Sequence, residues 1–310
     1  MPGECSGKLI FEENFNDPKL ANWRHAIYAS YRSSLIEFTV YVKDRIFVKD
    51  GHMHIEATMS NSKTRFKLPD CNVVDKKNKH KCGPYRFSPS APTPPFYSAK
   101  IQSTMNTLKY GRYEIRAKMP KGNYLFPYIM LLPKGTQIDG VGETNIRIAY
   151  ARGNTKLSDI AFNDLAGSTV FGGAMFYYNN GMYVEVKSSQ PHKTPGAHFG
   201  DSFHNYTMIW HKDRIIFKVD GVTYGTITDK VTLKHLDQHE SYYFVLGLTV
   251  GGIHNFPSYQ VNFDKVGGPI KLDAGNAANL IKEHVQSNPW THPKLVIDYV
   301  RVYETYQNEN

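Results

Sequence analysis

Residues 142–154 gather the reactive side chains most densely: Gly142-Glu143-Thr144-Asn145-Ile146-Arg147-Ile148-Ala149-Tyr150-Ala151-Arg152-Gly153-Asn154. The stretch holds one carboxylate (Glu143), two amides (Asn145 and Asn154), two guanidinium groups and a phenol. Chemistry that pairs nucleophilic attack with proton donation needs two ionisable groups with separate duties. One carboxylate cannot perform both. Asn145 carries no charge, Arg147 is a permanent cation, and Tyr150 offers a phenol in place of a carboxyl. The expectation is a site that binds or supports rather than one that cleaves. Three roles are open to Arg147: an ion pair with Glu143, a cation–π contact with Tyr150, or a hydrogen bond to a ligand hydroxyl.

Other groups capable of chemistry are sparse. Three cysteines are present; Cys71 and Cys82 bracket a polar, lysine-rich segment that a disulfide would make cheaper to order, and Cys5 is left over. Asn205-Tyr206-Thr207 is an N-glycosylation sequon. A sequon together with a disulfide points to an extracellular protein. The thirteen histidines, His192, His198, His204 and His211 among them, are spaced too irregularly for a metal site.

The elements that must position these residues are strands. Arg112-Tyr113-Glu114-Ile115-Arg116-Ala117-Lys118 alternates, with Tyr113, Ile115 and Ala117 on one face. That is the period of an antiparallel strand with one wet face. Met53–Ala57, Ile215–Gly221 and Leu295–Tyr303 alternate in the same way, and Lys49-Asp50-Gly51 and Val219-Asp220-Gly221 read as tight turns. Helical periodicity is confined to 274–286. Many strands and little helix predict a β-sandwich. The proline-rich stretch 89–95 reads as a surface crossing, since strand pattern resumes at Tyr97, so the expectation is a single domain over 1–310.

Composition narrows the function classes. The net charge is +9, but lysine and arginine are scattered apart from Lys76-Lys77-Asn78-Lys79-His80-Lys81, and no nucleic-acid motif accompanies that run. No apolar run is long enough to span a membrane. Aromatic content of 13% suits half-buried sheets and sugar-stacking platforms alike. No secretory signal is present, and Met1-Pro2-Gly3 reads as an added start to an excised or mature chain.

An ordered set of segments resembles the laminarinase branch of glycoside hydrolase family sixteen. It comprises Leu9-Ile10-Phe11-Glu12-Glu13-Asn14-Phe15, Tyr97–Ile101, Tyr110–Lys118, Phe126-Pro127-Tyr128-Ile129-Met130-Leu131-Leu132-Pro133, Phe203–Tyr206 with Trp210, Val219-Asp220-Gly221, Gly251-Gly252, Pro289-Trp290 and Asp298–Tyr303. The resemblance implies an all-β, concanavalin-like jelly roll of two curved antiparallel sheets, with a concave cleft and one or two short helices. Retaining family members use two carboxylates about 5–5.5 Å apart. Their E-x-D-x-x-E motif spaces the outer acids by five, which on a period of two demands a bulge. Set against Arg152-Gly153-Asn154, the motif falls on Asn145, Arg147 and Tyr150, and no double-displacement route survives. A rival register places Glu143 at the nucleophile position and Ile148 at the acid, which also leaves one carboxylate.

A domain so altered resembles the C-terminal glucanase-like domain of insect β-1,3-glucan recognition proteins, also called Gram-negative bacteria-binding proteins. The resemblance implies secretion into haemolymph and a non-catalytic role in innate immunity. The implied partners are β-1,3-glucan or another microbial cell-wall polysaccharide, and a serine protease of the Toll or prophenoloxidase cascades. The N-terminal carbohydrate-binding module of such proteins is expected to be absent from this chain. Candidate glycan-binding residues are Phe126, Tyr128, Met130, Glu143, Asn145, Arg147, Tyr150 and Trp290. Phe126 and Met130 stand where the family carries tryptophan, which implies weaker sugar stacking. No cofactor is expected beyond a structural calcium, at Asp298 with backbone oxygens near Glu12 and Glu13. A residual glucanase using Glu143 and a protein-interaction module with a vestigial cleft are the alternatives.

Overall fold

The computed structural model describes residues 7–30, 37–60, 68, 70–72, 82–83, 95–105, 109–136, 144–159, 161–177, 183–252, 254–256, 261–262 and 277–305. Glu143, Cys5 and the lysine run at 76–81 therefore lie outside the described residues.

Two antiparallel sheets form the expected sandwich. The eight-stranded sheet runs in the order β18 (Val222–Ile227), β17 (Ile215–Val219), β16 (His204–Trp210), β10 (Gly111–Lys118), β21 (Lys294–Tyr303), β6 (His52–Glu56) and β5 (Ile46–Lys49), and β1 (Leu9–Glu13) also pairs with β21. Its strands alternate as the sequence predicts: on β10, Tyr113, Ile115 and Ala117 are buried while Arg112, Glu114, Arg116 and Lys118 are half-exposed. The seven-stranded sheet runs β15 (Tyr183–Pro191), β14 (Thr169–Tyr177), β12 (Asn145–Tyr150), β11 (Leu125–Pro133), β19 (Tyr242–Val250), β9 (Lys100–Ser103) and β2 (Trp23–His25).

The central strands of the second sheet are buried along their whole length. One face meets the sandwich core. Leu131 stands opposite Phe244, whose ring packs edge-on against Tyr113 of β10 at 5.6 Å. The other face, carrying Phe126, Tyr128 and Met130, lies under a second layer. That layer includes a small sheet of β3 (Tyr28–Ala29), β4 (Thr39–Tyr41), β8 (Phe96–Ser98) and β7 (Thr58–Met59), in which β4 and β8 run parallel. Gly251 lies against Phe38 and near Ile281 of α2 (Ala277–Ser287), so this helix also closes over the sheet. Burial on both faces explains why these strands read as continuous apolar runs.

Two helices are present among the described residues. The one at 277–287 falls close to the expected 274–286. The other, α1 (Lys230–Asp237), is capped by the Asp229 side chain, which accepts from the Thr232 N–H at 2.7 Å. A short pair, β13 (Ser158–Asp159) with β20 (Val261–Asn262), completes the strands. Cys71 and Cys82 form the expected disulfide, their Cα atoms 5.4 Å apart.

Candidate functional site

Asn145 and Arg147, two positions apart on β12, share the face directed away from the sandwich core. Arg147 stands opposite Met130 on one side and Gly173 on the other. Between Arg147 and Tyr150 the register slips: three steps on β12 match two on β14, from Gly173 to Phe171. This is a β-bulge, and it returns Tyr150 to the face that Arg147 occupies. The strand thus presents residues spaced by two and then three on one surface. The Tyr150 ring stacks on Phe171 (5.2 Å, 17°) and packs against Phe126 (4.8 Å).

Arg147 lies across this aromatic floor. Its guanidinium carbon is 5.2 Å from the Phe126 ring centre and 5.3 Å from that of Tyr150. Of the roles open to it, cation–π contact is the one observed, and the carboxylate it faces is Glu185 of β15, 3.7 Å from Nη1. Arg152 joins the same floor beside the Tyr150 and Phe171 rings, with Phe126 and Phe256 also near it, and its Nε donates to the Asn255 carbonyl at 2.8 Å.

A second polar group lies alongside. Glu37 is buried and accepts hydrogen bonds from Ser30, Tyr41 (2.9 Å) and Tyr128. Lys100 lies 3.9 Å from it, donates to Tyr28 at 2.8 Å and sits over the Tyr41 and Tyr128 rings. Asn255 joins the two groups: its Nδ2 donates to the Tyr128 hydroxyl at 2.8 Å, and its Oδ1 lies 3.5 Å from Nη2 of Arg147. Burial opposes the charge on Glu37, but Lys100 and the hydroxyls of Ser30, Tyr128 and Tyr41 outweigh it and hold the carboxyl below its ordinary range. Burial likewise opposes the charge on Glu185, and Arg147 and Lys187 overcome it. A general acid at neutral pH needs the opposite shift. Neither carboxyl retains a proton to donate.

The floor is closed to solvent. Arg147 is 4% exposed and Tyr150 is 1% exposed; Phe126, Tyr128, Met130 and Asn145 are buried as fully. At the margin, half-buried Tyr177, Tyr183 and His254 make a small aromatic group. The Tyr183 and His254 rings lie 5.2 Å apart, and the Tyr177 hydroxyl is 3.3 Å from His254 Nε2.

A sandwich with a polar strand at the centre of one sheet is shared by many proteins, so descent is decided by sequence. Residues 40–252 match the family described as Glycosyl hydrolases family 16. The chain belongs to glycosyl hydrolase family 16. Within reach of this family-16 chain, two curated relatives show the similarity along nearly its whole length. Gram-negative bacteria-binding protein 2 of Drosophila melanogaster is 34% identical over 96% of this chain and 65% of its own. Beta-1,3-glucan-binding protein 1 of Manduca sexta is 30% identical over 98% of this chain and 66% of its own. The chain thus spans about two thirds of the length of these relatives. Among solved structures, the catalytic domain of an endo-1,3-beta-glucanase (laminarinase) from Thermotoga petrophila matches with a TM-score of 0.61 at 21% identity, covering 97% of this chain and 99% of that one. The shared fold is the family-16 jelly roll.

The remaining expected residues lie apart from the floor. Trp290 follows α2; its ring packs against Phe96 (5.3 Å) and over Gly122, and its indole N–H donates to the Asn123 carbonyl at 2.9 Å. Asn205 is exposed on β16, its side-chain oxygen accepting from the Tyr299 hydroxyl at 3.1 Å. The residues expected to hold calcium are engaged by other side chains. Arg116 and His52 engage the Asp298 carboxylate, and Arg301 takes Glu12 at 2.8 Å. Among the described residues no group of three or more His, Cys, Asp or Glu side chains could hold a metal.

Sequence reasoning missed Glu37, Lys100, Glu185, Asn255 and the Tyr183–His254 pair. Glu37 and Tyr128 are 91 positions apart, and nothing local marks either as the other's partner. One signal was available: Lys100 follows Ala99 and precedes Ile101 on an apolar strand, and a lysine there needs a buried counter-charge.

Proposed function

We propose that this chain is a non-catalytic recognition domain of an extracellular protein that detects microbial β-1,3-glucan. The observation that carries this reading is the position of Arg147. Where a family-16 glucanase needs paired acids, a guanidinium lies across the Phe126 and Tyr150 rings. Asn145 and Tyr150 occupy the flanking positions, and neither supplies a carboxyl for the pair that the retaining mechanism uses. Among the described residues, the carboxyls beside the floor, Glu37 and Glu185, are held ionised by cations. The names of the relatives, binding proteins for β-1,3-glucan and for Gram-negative bacteria, support the ligand class. Secretion, glycan attachment at Asn205 and relay to a serine protease belong to the same proposal.

The test pairs two assays on laminarin. The domain is expected to release no reducing sugar above buffer and to retain laminarin in a pull-down. Release at the rate of a true laminarinase overturns the reading. Replacing Glu143 with Gln is expected to leave the absent turnover absent.

A second reading is favoured by the burial of the floor. A domain whose trough is closed can act through its protein contacts alone. Titration with laminarioligosaccharides separates the two by NMR. Saturable shifts at Tyr177, Tyr183 or His254, or at Trp290, support glycan recognition; silence there with an intact protease-binding response supports the interaction module.

A further inference from the structure

The trough contains more cationic donors than its described residues satisfy. Arg147 and Arg152 are 4% and 3% exposed. Both guanidinium groups lie against the Phe126 and Tyr150 rings, and both reach Asn255, Arg147 at a long 3.5 Å and Arg152 at 2.8 Å. Beyond these contacts, Nε and Nη1 of Arg147 and Nη1 of Arg152 make no hydrogen bond. Native proteins seldom leave buried donors without partners, and a group of them marks a bound water or ion.

Charge decides between those two occupants. Among the described residues, Glu185 is the carboxylate facing both arginines, and Lys187 holds one of its oxygens at 2.9 Å while Arg147 Nη1 stands 3.7 Å from the other. Three cations therefore share one carboxylate. Glu37 offers no relief, because Lys100 and three hydroxyls occupy it. Water would satisfy the N–H groups and leave the excess positive charge buried, which is expensive at low dielectric. A small anion answers both needs, and a planar guanidinium is shaped for a carboxylate fork.

We infer that the Arg147–Arg152 pair is a binding site for a small anion, a halide or a carboxylate group. Burial of both arginines limits the ligand to a group of that size, reached from the side where Glu185 and Lys187 meet solvent and where Tyr183 and His254 form the margin. The carboxylate can belong to a free anion or to an acidic saccharide such as a uronate. This site rests on the trough alone and stands or falls independently of β-glucan recognition.

The experiment follows thermal unfolding of the chain in sodium formate and in sodium glucuronate, at constant ionic strength, for wild type and for Arg147→Met. General salt effects act on both proteins alike. Site binding adds a shift of about 2–4 °C in wild type that grows with the logarithm of anion concentration. An excess shift in formate alone identifies a free anion; an excess in glucuronate identifies an acidic saccharide. Equal shifts in the two proteins for both salts overturn the inference. If Arg147→Met does not fold, wild-type crystals soaked in bromide decide. An anomalous peak within hydrogen-bond reach of Arg147 Nη1 or Arg152 Nη1 is the expected result, and water alone at those atoms overturns it.

Discussion

Glu37 shows how a single buried charge organises the face opposite the sandwich core. It links β4's neighbourhood to β11 through Tyr128 and to β9 through Lys100. Removing one partner of such a pair leaves the other charge uncompensated, at a cost of about 3–5 kcal/mol. Glu37→Gln is therefore expected to lower unfolding free energy by about that amount in urea titrations. The pH dependence follows from the direction of its shift. A folded-state pKa below the ordinary 4.5 means the stabilisation is complete above that value and is lost as pH falls through the lowered one. Wild type should lose stability steeply below pH 4.5, and Glu37→Gln should show a shallower acid limb, with Glu185 supplying the remainder. A Gln variant with an unchanged acid limb would show that Glu37 is not the group responsible.

At the scale of elements, the bulge in β12 and the turn that follows it fix where the arginines sit. Gly153 donates to the Leu125 carbonyl at 2.9 Å, and its own carbonyl accepts from the Gly122 N–H at 2.7 Å. A Cβ at Gly153 would stand 2.3 Å from the Gly122 carbonyl oxygen, a backbone atom that cannot step aside cheaply. Gly153→Ala should cost about 1–3 kcal/mol and displace Arg152, seen as altered chemical shifts for Phe171 and Phe256. The Cys71–Cys82 disulfide acts on a different element. It closes a chain segment of 11 positions, so its reduction should lower stability by about 2–4 kcal/mol, measured as the difference in melting with and without a thiol reductant. The bulge was implied by the family resemblance, because motif positions spaced by two and then three cannot share a strand face otherwise. The helix at 230–237 was not: its start rests on one aspartate cap, and its short length leaves little periodicity to read.

For the molecule as a whole, burial governs what an optical assay can report. Of three tryptophans, Trp23 and Trp210 are buried and Trp290 is half-buried. Acrylamide should quench one component of the emission, and Trp290→Phe should remove that component while leaving the rest. Quenching that survives the substitution would place Trp23 or Trp210 nearer solvent than found here. The sequence by itself determined the sandwich, because a period of two along strand after strand admits few other packings. It also determined that β12 carries no acidic side chain, because side-chain chemistry is fixed by residue type. Only the tertiary structure decided that the trough is closed, that Arg147 faces Glu185 rather than solvent, and that Asp298 and Glu12 are taken by arginines and a histidine. Each of those depends on residues far apart in the chain brought to within a few ångströms, and no local pattern encodes a partner that only folding supplies.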